Sequence, residues 1–410
     1  MKMQKKFQSI LAKIGPGFII AAACLGPGSV TTSSKIGAEH GFSFLWVLVA
    51  ASLAMGIYMS MSAKFGVTHK ITILTGIRQN YGRLFAIVIG ISAFLASMSF
   101  QFGNNLGSAT ALNALTGISE NVWPLFITPL GLLLILFSKK QLYHIVEKLM
   151  IILSITMICA FLLNLFFTKP NIFAITKGFL PTNFSRNAFN DIAALIGTTF
   201  VLHACLYQSY LVQEKGWAVS DLNDVVRDST MGTIMLAGIS MVIIITSGAA
   251  LFPERIQIST AADMAIQLEA LFGLFAKHVF SIGLFAAAFS SLLVNAMIGS
   301  TLISDGFGLG NSFENLAPKI FASIIMIVGM SVAVFFKGNI VYALVLAQAS
   351  SLFAVSTIAV GLLLILNHKG VMGKYKNTPV VNIIAFFGLT LIIILDYYLY
   401  SRLLTILKGL

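Results

Sequence analysis

The sequence predicts an all-α polytopic membrane protein, and three observations carry that prediction. First, 58% of the 410 residues are hydrophobic and 10% are charged, with a mean hydropathy of +0.93. Soluble domains carry roughly a quarter charged residues. Second, apolar runs long enough to cross a bilayer core of ~30 Å recur along the whole chain. Third, the basic residues lie between those runs rather than on one face. The net charge of +12 therefore reads as a topology signal and excludes nucleic acid as a partner.

Eleven spans are expected, near 14–39, 43–66, 84–113, 121–138, 146–167, 189–213, 231–252, 276–303, 317–336, 339–366 and 380–404. With the N-terminus cytoplasmic, the opposite side together with Lys35 holds only nine of the 26 basic residues. This bias puts the N-terminus inside and the C-terminus outside. The first apolar run continues into a full span, so no removable leader is expected, and the compact loops point to a bacterial plasma membrane. The three cysteines, Cys24, Cys159 and Cys205, fall inside apolar segments and suggest neither a disulfide framework nor a zinc motif. No loop is long enough to fold alone, so residues 1–410 form one membrane domain whose partner is the lipid bilayer, with no protein partner evident.

The first span organises the rest. Gly17–Leu25 is apolar and uncharged, and then Gly26-Pro27-Gly28-Ser29 arrives near the bilayer midplane. Proline removes a backbone donor and clashes with the preceding turn, and glycine has little helical preference. Backbone groups freed at that depth survive only against protein or a water-lined cavity. Interrupted helices at mid-membrane mark secondary transporters, with the site at the break. The third span is uninterrupted but carries Gln101 and Asn104. The sixth, IGTTFVLHACLYQSYLVQ at 196–213, places a small polar cluster and His203 mid-membrane without a proline. Interruptions five spans apart predict two inverted five-helix repeats, 1–167 and 168–366, followed by a loop and an eleventh helix over 367–410.

These residues resemble the NRAMP family of proton-coupled divalent-metal transporters, which implies a LeuT-type fold. GPGFIIAAACLGPGS resembles the family's first-helix stretch ending in Asp-Pro-Gly-Asn, and GTTFVLHACLYQSYLVQ its sixth-helix stretch with Met-Pro-His. GSATALN at 107–113, SIGLFAAAFSS at 281–291 and LVLAQASSL at 344–352, followed by Asn367 to Gly373, have counterparts in the same order. The resemblance implies a substrate site of Ala23, Gly26, Gly28, Ser29, Thr198, Val201, His203 and Gln348, with the backbone carbonyls of Ala23 and Thr198 among the contacts. It implies a former proton path at Gln101, Asn104 and Gln208. The departures from the family are chemical. Its metal-binding Asp and Asn are Gly26 and Ser29 here, its Met is Val201 with Leu202 in place of the following Pro, and its third-span acids align with the amides Gln101 and Asn104.

All fourteen acidic residues map to loops or near helix ends. A dehydrated transition metal needs charged oxygen or sulfur ligands, and an uncompensated buried charge is costly. Without a carboxylate, a helix resuming after Gly28 presents free N–H groups and a partial positive charge. Ser29, Thr31, Thr32 and His203 would add donors, and Lys35 would either attract anions from outside or snorkel to the interface. The expected substrate is therefore a small inorganic anion such as bicarbonate. The alternative is a divalent cation: a largely hydrated magnesium ion held at longer range, or less readily manganese or iron. A soft-metal set of Cys24, His203 and Cys205 would need the helix to unwind, because 203 and 205 face apart. A sensor that no longer transports is a further reading, separable by uptake into liposomes. An enzyme is not expected, since His203 has no nucleophile at suitable spacing and Ser290-Ser291 fits helix packing. No cofactor is implied.

Overall fold

The computed structural model describes residues 15–137, 140–181, 188–338 and 340–408. The N-terminal lysines Lys2, Lys5, Lys6 and Lys13, and Lys139, lie outside the described residues. The principal helices are α1 (Pro16–Cys24), α2 (Pro27–His40), α3 (Leu45–Thr68), α4 (Ile73–Tyr81), α5 (Arg83–Thr116), α6 (Pro124–Leu136), α7 (Lys140–Thr168) and α8 (Ile172–Gly178). After these come α9 (Phe189–Thr199), α10 (Leu202–Glu214), α11 (Leu222–Ala250), α12 (Ala276–Phe307), α13 (Leu316–Phe335), α14 (Ile340–Ser350), α15 (Leu352–Asn367) and α16 (Pro379–Lys408).

By length and composition, seven described helices can each cross a membrane, and a bent pair ending at Tyr375 makes eight. The other expected spans fall on broken or shorter helices, α1 with α2 among them. Both expected interruptions occur. α1 ends at Cys24, Leu25 and Gly26 leave the helical region, and α2 restarts with Pro27 as its first residue, where the missing N–H costs nothing. The sixth span breaks at Phe200 and Val201, whose ψ angles are 69° and 80°. No proline acts there. The run Thr198-Thr199-Phe200-Val201 is β-branched and aromatic, the least helix-favouring stretch of its span.

Small residues bring the broken helices close to their neighbours, as membrane packing requires. A Cβ on Gly232 of α11 would lie 2.2 Å from the Gly17 carbonyl oxygen, and one on Gly107 of α5 would lie 2.1 Å from Pro27 Cβ. α12 runs along α5 and also touches α1, α2 and α10, so it reaches both breaks.

Polar clamps tie both ends of the bundle. Where α1 begins, the Gly17 N–H donates to Asp228 Oδ2 at 2.6 Å. At the same end Tyr210 donates to Asp305 Oδ2 at 2.5 Å, and Arg78 donates to the Asp305 carbonyl and lies 3.3 Å from its Oδ1. At the opposite end Lys35 pairs with Asp191 at 2.7 Å and Glu39 at 2.9 Å, and His40 Nε2 lies 3.0 Å from Asp191. Two expectations change here. Lys35 is held in ion pairs rather than free to attract a substrate. Asp396, expected near a helix end, lies well inside α16, half-buried, and its Oδ1 has no partner.

Candidate functional site

The two breaks meet, and their hydrogen bonds have a readable direction. The Ser29 hydroxyl donates to the Cys24 carbonyl at 2.8 Å, across the interruption of its own span. Its single proton is spent there, because a carbonyl can only accept. The 2.5 Å contact between Ser29 Oγ and Thr198 Oγ1 must then be Thr198 donating to Ser29. Neither hydroxyl keeps a proton for a ligand, and both keep lone pairs.

A second chain runs through α12. Asn295 Nδ2 donates to the Ser291 carbonyl at 3.1 Å and to Ser291 Oγ at 2.9 Å, which uses both amide protons and fixes the amide's orientation. Ser291 Oγ donates in turn to the Ala23 carbonyl at 2.9 Å, on the α1 side of the first break. Asn295 Oδ1 is left facing His203 Nε2 at 3.1 Å. An amide oxygen only accepts, so Nε2 carries the proton and donates. In the neutral ring Nδ1 then bears a lone pair; it is buried and has no hydrogen-bond partner. Phe100 packs edge-on against the imidazole, with ring centroids 5.2 Å apart.

Two expected roles are therefore reversed. Ser29 and His203, read from sequence as donors to an anion, are fixed by their neighbours as acceptors. The Ala23 carbonyl, expected to face substrate, already accepts from Ser291. Among the described residues, no carboxylate takes part in this hydrogen-bonded set. Nor is there empty room for one at Gly26: a Cβ there would stand 2.8 Å from Ser291 Oγ and 3.1 Å from Asn104 Oδ1.

The remaining expected residues divide. Gly26, Gly28, Thr198 and Val201 are buried at the breaks, and Thr31 and Thr32 are buried one turn further on with unpartnered hydroxyls. Asn104 faces Gly26, and its Nδ2 has no partner. Gln101 lies one turn away against Gly329, with neither amide atom partnered. Gln208 belongs to neither break. Oriented to suit its neighbours, its amide donates to the Pro16 carbonyl and accepts from the Gly17 N–H, both at 3.2 Å, so it clamps the start of α1. Gln348 falls within α14, but its side chain lies outside the described residues. Cys205 contacts Met55 through its thiol, 3.0 Å from Sδ.

Sequence reasoning missed Asn295 and gave Ser291 only a packing role. The one available signal was Asn295 itself, an amide in mid-span whose cost implies a bonded partner. It also missed the end clamps, most of which join residues far apart in sequence, such as Lys35 with Asp191, 156 positions away.

Two broken helices facing each other, with polar side chains and freed backbone at the gap, define a secondary transporter of the LeuT-type fold. The particular family follows from comparison. The model of the Natural resistance-associated macrophage protein-like family, Nramp, matches residues 17–402, and the chain belongs to that family. A "Divalent metal cation transporter MntH" from Staphylococcus aureus (strain bovine RF122 / ET3-1) is 27% identical, covering 98% of this chain and 93% of that protein. The protein of that name from strain JH9 is also 27% identical, over 96% and 91%. Among solved structures, an Eremococcus coleocola manganese transporter in complex with an aromatic bis-isothiourea substituted compound superposes with a TM-score of 0.76 at 20% identity, covering 95% of this chain and 86% of that one. Mhp1 in its inward-facing conformation matches at 0.58 and 12% identity, covering 95% and 91%. At these identities the structural likeness concerns the fold.

Proposed function

We propose that this chain is a secondary transporter that carries a divalent metal cation across a bacterial plasma membrane by alternating access, and that it takes the ion largely hydrated, magnesium first. The observation that carries this reading is the direction of the protons at the breaks. Ser29, Thr198 and His203 Nδ1 offer lone pairs, which suit a cation or the waters around it. Neutral acceptors cannot replace the whole hydration shell of a divalent ion, whereas an ion that keeps its water needs only such acceptors. The metal-transporter names of the relatives favour the same class, as against the anion expected from sequence. In this reading Ala23, Gly26, Gly28, Ser29, Thr198, Val201, His203 and Gln348 surround the ion. Residues 1–167 and 168–366 are the two repeats that rock, and the N-terminus is cytoplasmic.

One observation favours a second reading. α2 begins at the break with no acidic residue in its first turn, and Thr31 and Thr32 keep unpartnered hydroxyls, so a small anion such as bicarbonate has donors there. Uptake into proteoliposomes of magnesium, manganese, bicarbonate and chloride, with His203→Ala in parallel, separates the two. Saturable magnesium uptake lost in His203→Ala is the expected result. Saturable bicarbonate uptake that no divalent cation competes with would overturn the cation reading.

A further inference from the structure

We infer that Asn295 is a positioning residue: with Ser291 it holds His203 in the tautomer protonated at Nε2, and so keeps a lone pair on the buried, unpartnered Nδ1. This deepens the cation reading and rests on it for the use made of the lone pair, but the tautomer itself follows from geometry alone.

Five protons are assigned in sequence. The Ser291 hydroxyl proton goes to the Ala23 carbonyl, and both Asn295 amide protons go to Ser291. With its nitrogen committed, Asn295 can present only oxygen to the imidazole 3.1 Å away, so the Nε2 proton goes to Asn295. The fifth, on Thr198, goes to Ser29 across the other contact between the breaks. Flipping the Asn295 amide would bring its oxygen against the Ser291 carbonyl and its nitrogen against a ring N–H, which loses all three bonds and opposes like groups. Ser291 thus prevents the flip, and Asn295 prevents the tautomer change. Asn295 is 3% exposed and His203 is 0% exposed, so bulk water does not compete for these bonds. The arrangement is the one metal-ligating histidines use generally, in which the second ring nitrogen is held by a neighbouring acceptor that sets ring orientation and basicity.

The test is magic-angle-spinning NMR on the full chain in liposomes, labelled with nitrogen-15 histidine. The chain has six histidines, and the His203 signals are those missing from His203→Gln. Without any substrate, His203 is expected to show a protonated Nε2 and a bare Nδ1. In Asn295→Leu that preference is lost, and the KM for magnesium uptake rises by about 10- to 100-fold, the usual effect of removing such a partner, with kcat changed less. Asn295→Asp keeps an acceptor at Nε2 and restores the tautomer. Should Asn295→Leu fail to fold, Asn295→Ala removes the same acceptor with a smaller side chain and is expected to give a mixture of tautomers. A wild-type ring protonated at Nδ1, or a tautomer unmoved by both Asn295→Leu and Asn295→Ala, overturns the inference. If the tautomer behaves as expected but magnesium does not perturb Nδ1, the positioning holds and the cation reading fails.

Discussion

Replacing Gly107 by alanine tests how closely the second half of the broken first span is held. The added methyl would lie 2.1 Å from Pro27 Cβ and 2.5 Å from Pro27 Cγ, well inside the 3.4 Å at which ordinary contact begins. A proline ring cannot swing aside, because it is closed onto its own backbone. The backbone of α2 or of α5 must therefore move. Overfilling a packed contact costs about 1–3 kcal/mol. Charged to this arrangement alone, that strain shifts the balance toward states with α2 withdrawn from α5 by about 5- to 150-fold. The assay pairs thermal unfolding in detergent with uptake into proteoliposomes. Gly238→Ala is the control, since it sits inside α11 and its methyl meets nothing within 4 Å. A lower melting temperature and reduced uptake are expected for Gly107→Ala only. If the two variants melt and transport alike, the contact between Pro27 and Gly107 is not part of the resting structure.

Asp191→Asn breaks the pairing with Lys35 and His40 that joins α2 to α9; alkylation of a cysteine placed at Thr31 should speed up severalfold, and an unchanged rate would show that these pairs do not close that end. Tyr210→Phe removes a donor to the buried Asp305 carboxylate; a bond of that kind is worth about 1.5–3 kcal/mol, so the melting temperature should fall, and constancy would refute the clamp. Gln101→Leu should leave stability unchanged or higher, because neither amide atom has a partner to lose; a large fall in melting temperature would mean that the amide is satisfied by a bound species. Gly26→Asp alone should abolish uptake, since its Cβ would meet Ser291, whereas Gly26→Asp with Ser291→Gly makes room for a carboxylate and should admit manganese. Manganese uptake by the single variant would count against that steric reading.

The fold was legible because membrane composition leaves few alternatives. Apolar length marked most spans, and Gly26-Pro27-Gly28 announced the first break through backbone chemistry that needs no tertiary context. The sixth break was weaker, because Thr198 to Val201 interrupt a helix only where a neighbouring hydroxyl and freed backbone make that arrangement favourable. That Ser29, Thr198 and His203 lie at the breaks was readable, but their hydrogen-bond polarity was not. Ser29 and His203 each donate or accept according to what stands beside them, and the groups that decide, Thr198 and Asn295, lie 169 and 92 positions away. Reasoning from the first span alone assigned the proton of Ser29 to a ligand, whereas the fold assigns it to Cys24. Asp396 was misjudged for a simpler reason: the expected span 380–404 already enclosed it, and α16, which runs on to Lys408, puts it further from either end.

The bare backbone at Gly26 and the α12 network depend on each other. A carboxylate at position 26 would compete with the Ala23 carbonyl for the Ser291 proton, and its Cβ would stand 2.8 Å from Ser291 Oγ, too close for the hydroxyl to stay where it is. With Ser291 bound to Ala23, Asn295 is drawn into a fixed orientation, and that orientation decides which nitrogen of His203 stays bare. The breaks thereby carry several neutral acceptors and, among the described residues, no charged one in this hydrogen-bonded set. Such acceptors hold waters of hydration well and bare ions poorly, because dehydrating a divalent ion requires compensation that a lone pair on a hydroxyl or imidazole cannot supply. Selectivity would then rest on how readily an ion gives up water rather than on how soft it is, and magnesium, which gives up water least readily, is the ion such a pocket favours.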